Sequence, residues 1–383
     1  MVNIVNKKDC CGCYACNNIC PKNCISMVED SEGFYYPNVN VDKCINCKLC
    51  EKVCPFDNDL PKKQFLGAAY ACKNKNGNIR LQSSSGGIFD LLCRYVISNR
   101  GIVFGAAFNE NFEVVHTYAK TLEECSKFYG SKYVQSKIAD SYKKTKGFLD
   151  NGRIVLFSGT QCQIKGLNMF LQKRYLNLIT VEVICHGVPS PLVFKKYIDN
   201  LSRINESKIR TIKFRDKNLG WHKYSFMIQF ENEKIYSGTL DKDIFMRGFL
   251  NNLYLRPSCY ECKAKNHKSN SDISLGDYWG IEKIYPKFDD DRGVSLVLLN
   301  SKKGLEIFNK ILLHMDIMES NLEYAVKYNP SIIKSVSYNR NRKKYFSIMD
   351  EIDIESAIIK YTKVSFISRI KNKMVRILKK MDD

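Results

Sequence analysis

From residue 65 onward, short apolar runs alternate with amphipathic stretches of helical period. FLGAAYAC (65–72) precedes a helix over 86–99, which is followed by GIVFGAAF (101–108) and FEVVHTYA (112–119). A helix near 138–150, the run RIVLF (153–157), a helix over about 161–174 and LNLITVEVIC (176–185) continue the alternation. Apolar strands separated by helices predict an α/β sheet with substantial parallel content. Further on, KYSFMIQF (223–230) and EKIYSGTL (233–240) alternate in the manner of half-buried antiparallel strands.

The first sixty residues break this rhythm, because cysteine rather than hydrophobic period organises them. Ten of the 17 cysteines lie before Asp59, and their density drops where PFDNDLPKK (55–63) begins, which marks a domain boundary. A chain of 383 residues with 44% hydrophobic residues has the material for two or three packed domains. Its opening MVNIVNKKDC lacks the apolar core of a secretory signal, and no run approaches the roughly 18 apolar residues of a membrane span. The expectation is a cytoplasmic protein, where thiols stay reduced and serve as metal ligands rather than disulfides. Residues 1–60 hold six lysines against eight acidic residues, so a head of net charge −2 leaves +22 on the rest. Such a basic body suits an anionic partner or cofactor, with nucleic acid as the other standard reading.

Cys10, Cys13, Cys16 and Cys20 are followed by Pro21, and Cys44, Cys47, Cys50 and Cys54 by Pro55, with identical internal spacing thirty-four residues apart. This internal duplication has the spacing of bacterial two-cluster ferredoxins, in which three closely spaced thiolates hold one 4Fe-4S cluster and the fourth crosses to the other. The expected ligands are Cys10, Cys13, Cys16 and Cys54 for one cluster, and Cys44, Cys47, Cys50 and Cys20 for the second. A pair of zinc sites is the competing reading, but zinc usually takes two separated pairs of ligands. Cys11 and Cys24 fall outside the spacing and read as packing residues or bystanders. Between the runs, GFYYPNVNVDKC (33–44) reads as a strand of a small hairpin.

In open α/β sheets ligands collect beyond the carboxyl ends of the strands. Cys162 in SGTQCQI follows the run RIVLF, Cys185 in CHGVPSP follows LITVEVI, and RPSCYECKAK supplies Cys259 and Cys262. Together they can form a site of four thiolates for a third cluster, with ordinary buried cysteines as the alternative. Cys72, Cys93 and Cys125 sit in apolar runs and read as core. QSSSGGIF (82–89) precedes a helix, where free N–H groups can bind phosphate or serines can cap the helix. Lys132 in YGSKYVQS either pairs with a phosphate or is solvated, and His186 reads as a hydrogen-bonded loop residue. No G-x-G-x-x-G fingerprint and no nucleophile–base constellation occurs, so the catalytic residues are left unassigned.

The stretches SSSGGIF, SKYVQS, LFSGTQCQIKGL, ICHGVPSP, FRDKNLGW, RPSCYECKAK, SLGDYWGI and DDDRGVSLVL resemble, in order, the beta-subunit family of coenzyme F420 hydrogenases and dehydrogenases, over roughly residues 66–300. The resemblance implies a bound FAD and a body 4Fe-4S cluster held by Cys162, Cys185, Cys259 and Cys262. It makes Ser85, Gly86, Gly87 and Lys132 candidate flavin contacts and places Asp277 and Trp279 beside the site. It does not imply coenzyme F420 itself as substrate, since many relatives occur in bacteria without it.

The expected architecture is an α+β ferredoxin-like, two-cluster head over 1–60, followed by an α/β mixed-sheet flavin and iron–sulfur body over 61–335, divided at about 150. A basic tail completes the chain over 336–383. In the tail Ile367, Ile370, Met374, Ile377 and Met381 recur at helical spacing among lysines and arginines, predicting an amphipathic helix that packs back, meets a partner, or touches an anionic membrane surface. The expected function is an FAD- and 4Fe-4S-dependent oxidoreductase that exchanges electrons with a ferredoxin-like or other redox partner, its small-molecule substrate or coenzyme unspecified. The alternatives are an electron-transfer subunit without a substrate of its own, and a nucleic-acid binder, which only the charge supports.

Overall fold

The computed structural model describes residues 1–61 and 66–362. The amphipathic helix expected over 367–381 lies outside the described residues.

The strands are β1 (Ile25–Glu29), β2 (Tyr35–Val39), β3 (Ala68–Asn74), β4 (Ile102–Phe108), β5 (Val114–Ala119), β6 (Val155–Thr160), β7 (Leu178–Val183), β8 (Ile209–Asp216), β9 (Ser225–Phe230), β10 (Ile235–Thr239), β11 (Ile273–Asp277), β12 (Ser295–Leu299) and β13 (Met315–Ser320). An eight-stranded sheet runs in the order β13-β3-β12-β11-β7-β6-β4-β5. Its centre, β4, β6, β7 and β11, is parallel, and antiparallel strands flank it on both sides. The central strands are almost continuously buried, as strands covered on both faces must be. This is a mixed α/β fold with a large mixed sheet.

The two faces of the sheet carry different cores. On one, the helices Ile88–Ser98 and Lys302–Ile311 pack Leu91, Leu92, Val96, Ile307 and Phe308 against Val103, Leu156 and Val181. On the other, Tyr142, Ile164, Leu167 and Phe170 pack against Phe104 and Phe157. That second core also contains Tyr14, Ala15, Val53 and Phe56, so the head forms a further layer on the helices. A third core holds a small antiparallel sheet, β10-β9-β8, against the helix Pro191–Asn205 and several shorter ones.

The helices Arg342–Ile348 and Ile354–Thr362 lie in the stretch assigned by charge to a tail, yet Tyr345, Ala357 and Ile358 are fully buried in the third core. Their apolar stripe, not their net charge, decides the packing. Buried Arg342 reaches the head, where its guanidinium forks onto the Glu32 carboxylate at 2.8 and 2.5 Å while its Nε donates to the Leu255 carbonyl at 2.9 Å. No helix among the described residues is long and apolar enough to cross a membrane.

Truncating one partner of a buried ion pair strands the other charge. Arg342→Ala should therefore lower the unfolding free energy by about 3 kcal/mol. Lys144→Ala, which removes an exposed pair with Asp140, should cost less than about 1 kcal/mol. Denaturant titration of both variants distinguishes the two, and equal losses would refute the Arg342 assignment.

Candidate functional site

The head repeats its backbone as well as its sequence. Tyr14 (φ 64°, ψ 8°) and Lys48 (φ 58°, ψ 10°) both adopt the left-handed conformation, and each opens a short helix, Ala15–Ile19 and Leu49–Lys52. The two turns gather the run cysteines around two cavities. One is lined by Cys10, Cys13, Cys16 and Cys54, with Cys11 beside them. The other is lined by Cys20, Cys44, Cys47 and Cys50, with Cys24 beside them. Cys54 comes from the second run and Cys20 from the first, so the runs cross. Backbone donors point at the sulfurs, from Gly12 N–H to Cys10 Sγ at 3.4 Å and from Val2 N–H to Cys50 Sγ at 3.3 Å. Burial pushes the Cys54 thiol up to about 11 and Cys16 further still, so neither ionises readily on its own. Four converging thiols per cavity, with N–H groups aimed at sulfur, are a donor set that fits a 4Fe-4S cluster.

A third group of thiols lies at the carboxyl end of the parallel strands. Cys162 occupies the first turn of the helix Gln161–Leu171 directly after β6, held by a capping box from Thr160 and Gln163. Cys185 follows β7, while Cys259 and Cys262 are supplied by the tight turn Pro257–Glu261 and its end. Burial raises the Cys185, Cys259 and Cys262 thiols, Cys259 to about 12, and Cys162 lies within electrostatic reach of all three. Val188 N–H points at Cys259 Sγ at 3.4 Å. The buried Lys265 ammonium donates to the carbonyls of Cys185 and Ser331 at 2.6 and 2.7 Å. Four thiols within electrostatic reach of one another, one of them facing an N–H donor, are a donor set that fits a cluster.

Cys11 joins the two territories, since its buried thiol lies within electrostatic reach of Cys13 on one side and Cys162 on the other. Behind it Arg256 is fully buried. The Arg256 guanidinium donates to the Cys10 carbonyl at 2.7 Å, to Gln135 Oε1 at 2.9 Å and to the Tyr35 carbonyl at 3.0 Å, and lies over the Tyr36 ring at 4.3 Å. Gly166, on the helix that carries Cys162, permits the close approach: a Cβ there would lie 2.9 Å from both Cβ and Sγ of Cys13.

A polar cluster sits at the ends of β8 and β11. Arg215 forks onto Asp277 at 2.8 and 3.1 Å and also donates to Tyr133 Oη at 3.1 Å and to the Ser84 carbonyl at 3.3 Å. Its face covers the Tyr224 ring at 3.8 Å, and its buried Nε has no hydrogen-bond partner. Trp221 donates to Asp277 at 2.8 Å and stacks on Trp279 at 4.9 Å. Lys217 donates to the Arg80, Ser85 and Arg292 carbonyls, and Lys132 to those of Lys127, Tyr129 and Gly130. Burial pulls both ammonium groups down to about 7.

Ser85, Gly86 and Gly87 lead into the helix Ile88–Ser98, whose N-cap is left-handed Gly87 with no side-chain cap. The serines do not cap it, because Ser85 Oγ donates to the Val294 carbonyl and Ser84 Oγ accepts from Ser131. A Cβ at Gly86 would meet the Cys72 carbonyl at 2.3 Å, so this glycine has a packing reason of its own.

Residues 9–58 match the family model of the 4Fe-4S dicluster domain, and residues 152–325 match that of the C terminus of the coenzyme F420 hydrogenase/dehydrogenase beta subunit. Residues 152–325 are thus similar to this beta-subunit family. The match to the dicluster domain stands on the N-terminal side of that stretch. No curated protein sequence matches the chain. Among solved structures, the F420-reducing NiFe hydrogenase complex from Methanosarcina barkeri, determined as a xenon derivative, contains a chain with 17% identity. The alignment covers 76% of this chain and 97% of that one, at a TM-score of 0.48.

Several residues of this beta-subunit-like protein escaped the spacing argument. Cys11 and Cys24 belong to no run, yet Cys11 lies between two thiol groups and Cys24 Sγ lies 3.3 Å from Cys20 Sγ. Arg256 precedes the Cys259–Cys262 motif, and Arg215 and Lys217 occupy FRDKNLGW, where only their membership of a shared stretch signalled them. His186 bonds Asn252 at 2.6 Å, and Cys72, Cys93 and Cys125 are fully buried in the core.

Gly166→Ala should force the Cys13 loop away from the helix, costing about 1–3 kcal/mol of stability. Gly147→Ala, in a neighbouring helix where an added Cβ meets nothing within 4 Å, should instead gain up to about 1 kcal/mol. Thermal melts of the two variants test this, and a neutral Gly166→Ala would show that the approach is slack.

Proposed function

We propose that the protein is an iron–sulfur flavoprotein oxidoreductase that passes electrons between a two-electron substrate or coenzyme at FAD and three 4Fe-4S clusters serving an external redox partner. In this reading residues 1–60 form the two-cluster head, 61–335 the flavin and cluster body, and 336–383 a C-terminal extension. The observation that carries it is the unbroken succession of thiol groups from Cys47, through the two crossed cavities and Cys11, to Cys162 and Cys185 at the carboxyl end of the sheet. Cys10, Cys13, Cys16 and Cys54 are the ligands of one cluster, Cys20, Cys44, Cys47 and Cys50 of the second, and Cys162, Cys185, Cys259 and Cys262 of the third.

The Ser85–Gly87 turn and the Arg215–Asp277 cluster are the candidate flavin site. An uncapped helix N-terminus offers N–H groups to phosphate. The unpartnered Arg215 Nε and the half-buried Lys132 favour an anionic ligand, which would keep Lys132 and Lys217 protonated. When bound, FAD supplies the exchange of electron pairs for single electrons. Asp277 and Tyr133 orient Arg215, Lys217 ties the Ser85 turn to Arg292, and the stacked indoles of Trp221 and Trp279 wall the cluster. Arg256 and Gln135 hold the Cys10–Cys11 segment of the head against the body.

Purified without oxygen, the protein should contain about 12 iron atoms, as three clusters require, and about one FAD per chain. Cys259→Ser should lose about four of those iron atoms while retaining the rest. Iron, sulfide and flavin assays decide the matter, and full iron in the variant would remove the body cluster from the scheme.

A further inference from the structure

The chain of thiol groups ends at the protein surface in a patch whose charge is opposite to that of the head as a whole. Cys47 is the one exposed cysteine among the described residues. The same run of chain carries the exposed apolar side chains of Ile45 and Val41, at 58% and 62% exposure, and the exposed lysines Lys43, Lys48 and Lys52, and the first run adds exposed Lys22. Lys22, Lys48 and Ile45 line the Cys47 cavity itself. Two acidic groups lie nearby, but Glu51 is paired with the N-terminal ammonium, which leaves Asp42. Three of the six other acidic side chains of the head are paired elsewhere, Asp30 with Lys7, Glu32 with Arg342 and Asp59 with Lys165. A head of net charge −2 thus presents a positive rim at the point where its outermost thiol meets solvent.

Resting on the proposed iron–sulfur reading, we propose that this rim is the docking surface for an acidic one-electron carrier protein. A small apolar centre ringed by one sign of charge suits a transient redox complex: opposite charge steers the encounter, and the apolar contact excludes water where the two redox groups approach. A second copy of this chain is disfavoured, because its body carries +22. An anionic membrane would be met by only two apolar side chains and four lysines, a shallow attachment. Cys20, Cys44, Cys47 and Cys50 would hold the cluster, which would gain the one electron that a reduced carrier loses. No bond is made or broken, and reversal of the flow exchanges donor and acceptor.

Lys22→Glu combined with Lys43→Glu reverses two charges of the rim while leaving alone Lys48, which sets the left-handed turn of the second run. An acidic two-cluster ferredoxin serves as the probe. Its oxidised form should bind the anaerobically purified parent by calorimetry with an affinity that falls steeply as salt is raised. The double variant, at unchanged iron content, should bind roughly tenfold or more weakly and lose most of that salt dependence. In stopped flow its clusters should be reduced correspondingly more slowly by reduced ferredoxin. Equal affinity and equal rates in parent and variant would overturn the docking surface while leaving the clusters in place. Lysine-dependent binding to phosphatidylserine vesicles without ferredoxin binding would overturn it in favour of a membrane surface. A parent without iron would instead remove the reading on which the inference rests.

Discussion

Sulfur buried in protein must stay neutral or meet positive charge, and this constraint organises the molecule. Twelve cysteines converge in three groups, most of them shielded from water, and burial drives most of the shielded thiols away from ionisation. Thiolates packed this closely repel one another, so the arrangement persists only with a cationic core between them or with every thiol protonated. The protein adds its own compensation in small amounts, through N–H donors from Gly12, Val2 and Val188 and the buried cations Arg256 and Lys265. Because these contacts join segments far apart in sequence, folding and the binding of metal should be coupled at the junction of head and body.

The sheet explains why the third thiol group lies where it does. Parallel strands send their chain ends to one side, and β6, β7 and β11 deliver Cys162, Cys185 and Asp277 to the same edge of the fold. The turn carrying Cys259 and Cys262 must then be brought back across that edge, which Arg256 accomplishes by bonding the head while Leu255 and Ser258 are buried beside it. The head is therefore not an appendage on a linker. Its side chains share a core with the helices Ser141–Asp150 and Gln161–Leu171, and Asn18 bonds the Ala139 carbonyl at 2.7 Å.

Much of this was legible along the chain. The duplicated cysteine runs, the alternation of apolar strands and helices, and the two cysteines directly after β6 and β7 all follow from local pattern. Observed elements start or stop within a few residues of expectation, with the helix expected over 86–99 spanning Ile88–Ser98 and the strand after Arg153 extending to Thr160. Cys11 and Arg256 were not legible, because each acts through neighbours more than a hundred residues away. After Pro330 the composition is basic, yet Tyr345 and Ile358 are buried, because the apolar positions of the two short helices rather than their lysines meet the core.

The sequence by itself determined where the two cysteine runs of ligand spacing lie, because spacing within a tight turn is a local property that short-range geometry enforces. It also determined the kind of sheet, since side-chain period follows directly from strand and helix repeat. Only the tertiary structure decided that Cys11 lies between the head and body thiols, that Arg215 meets Asp277, and that exposed Cys47 shares its cavity with Lys22 and Lys48. Those juxtapositions depend on long-range packing, where a single glycine at position 166 or a buried guanidinium sets the distance, and no local period records them.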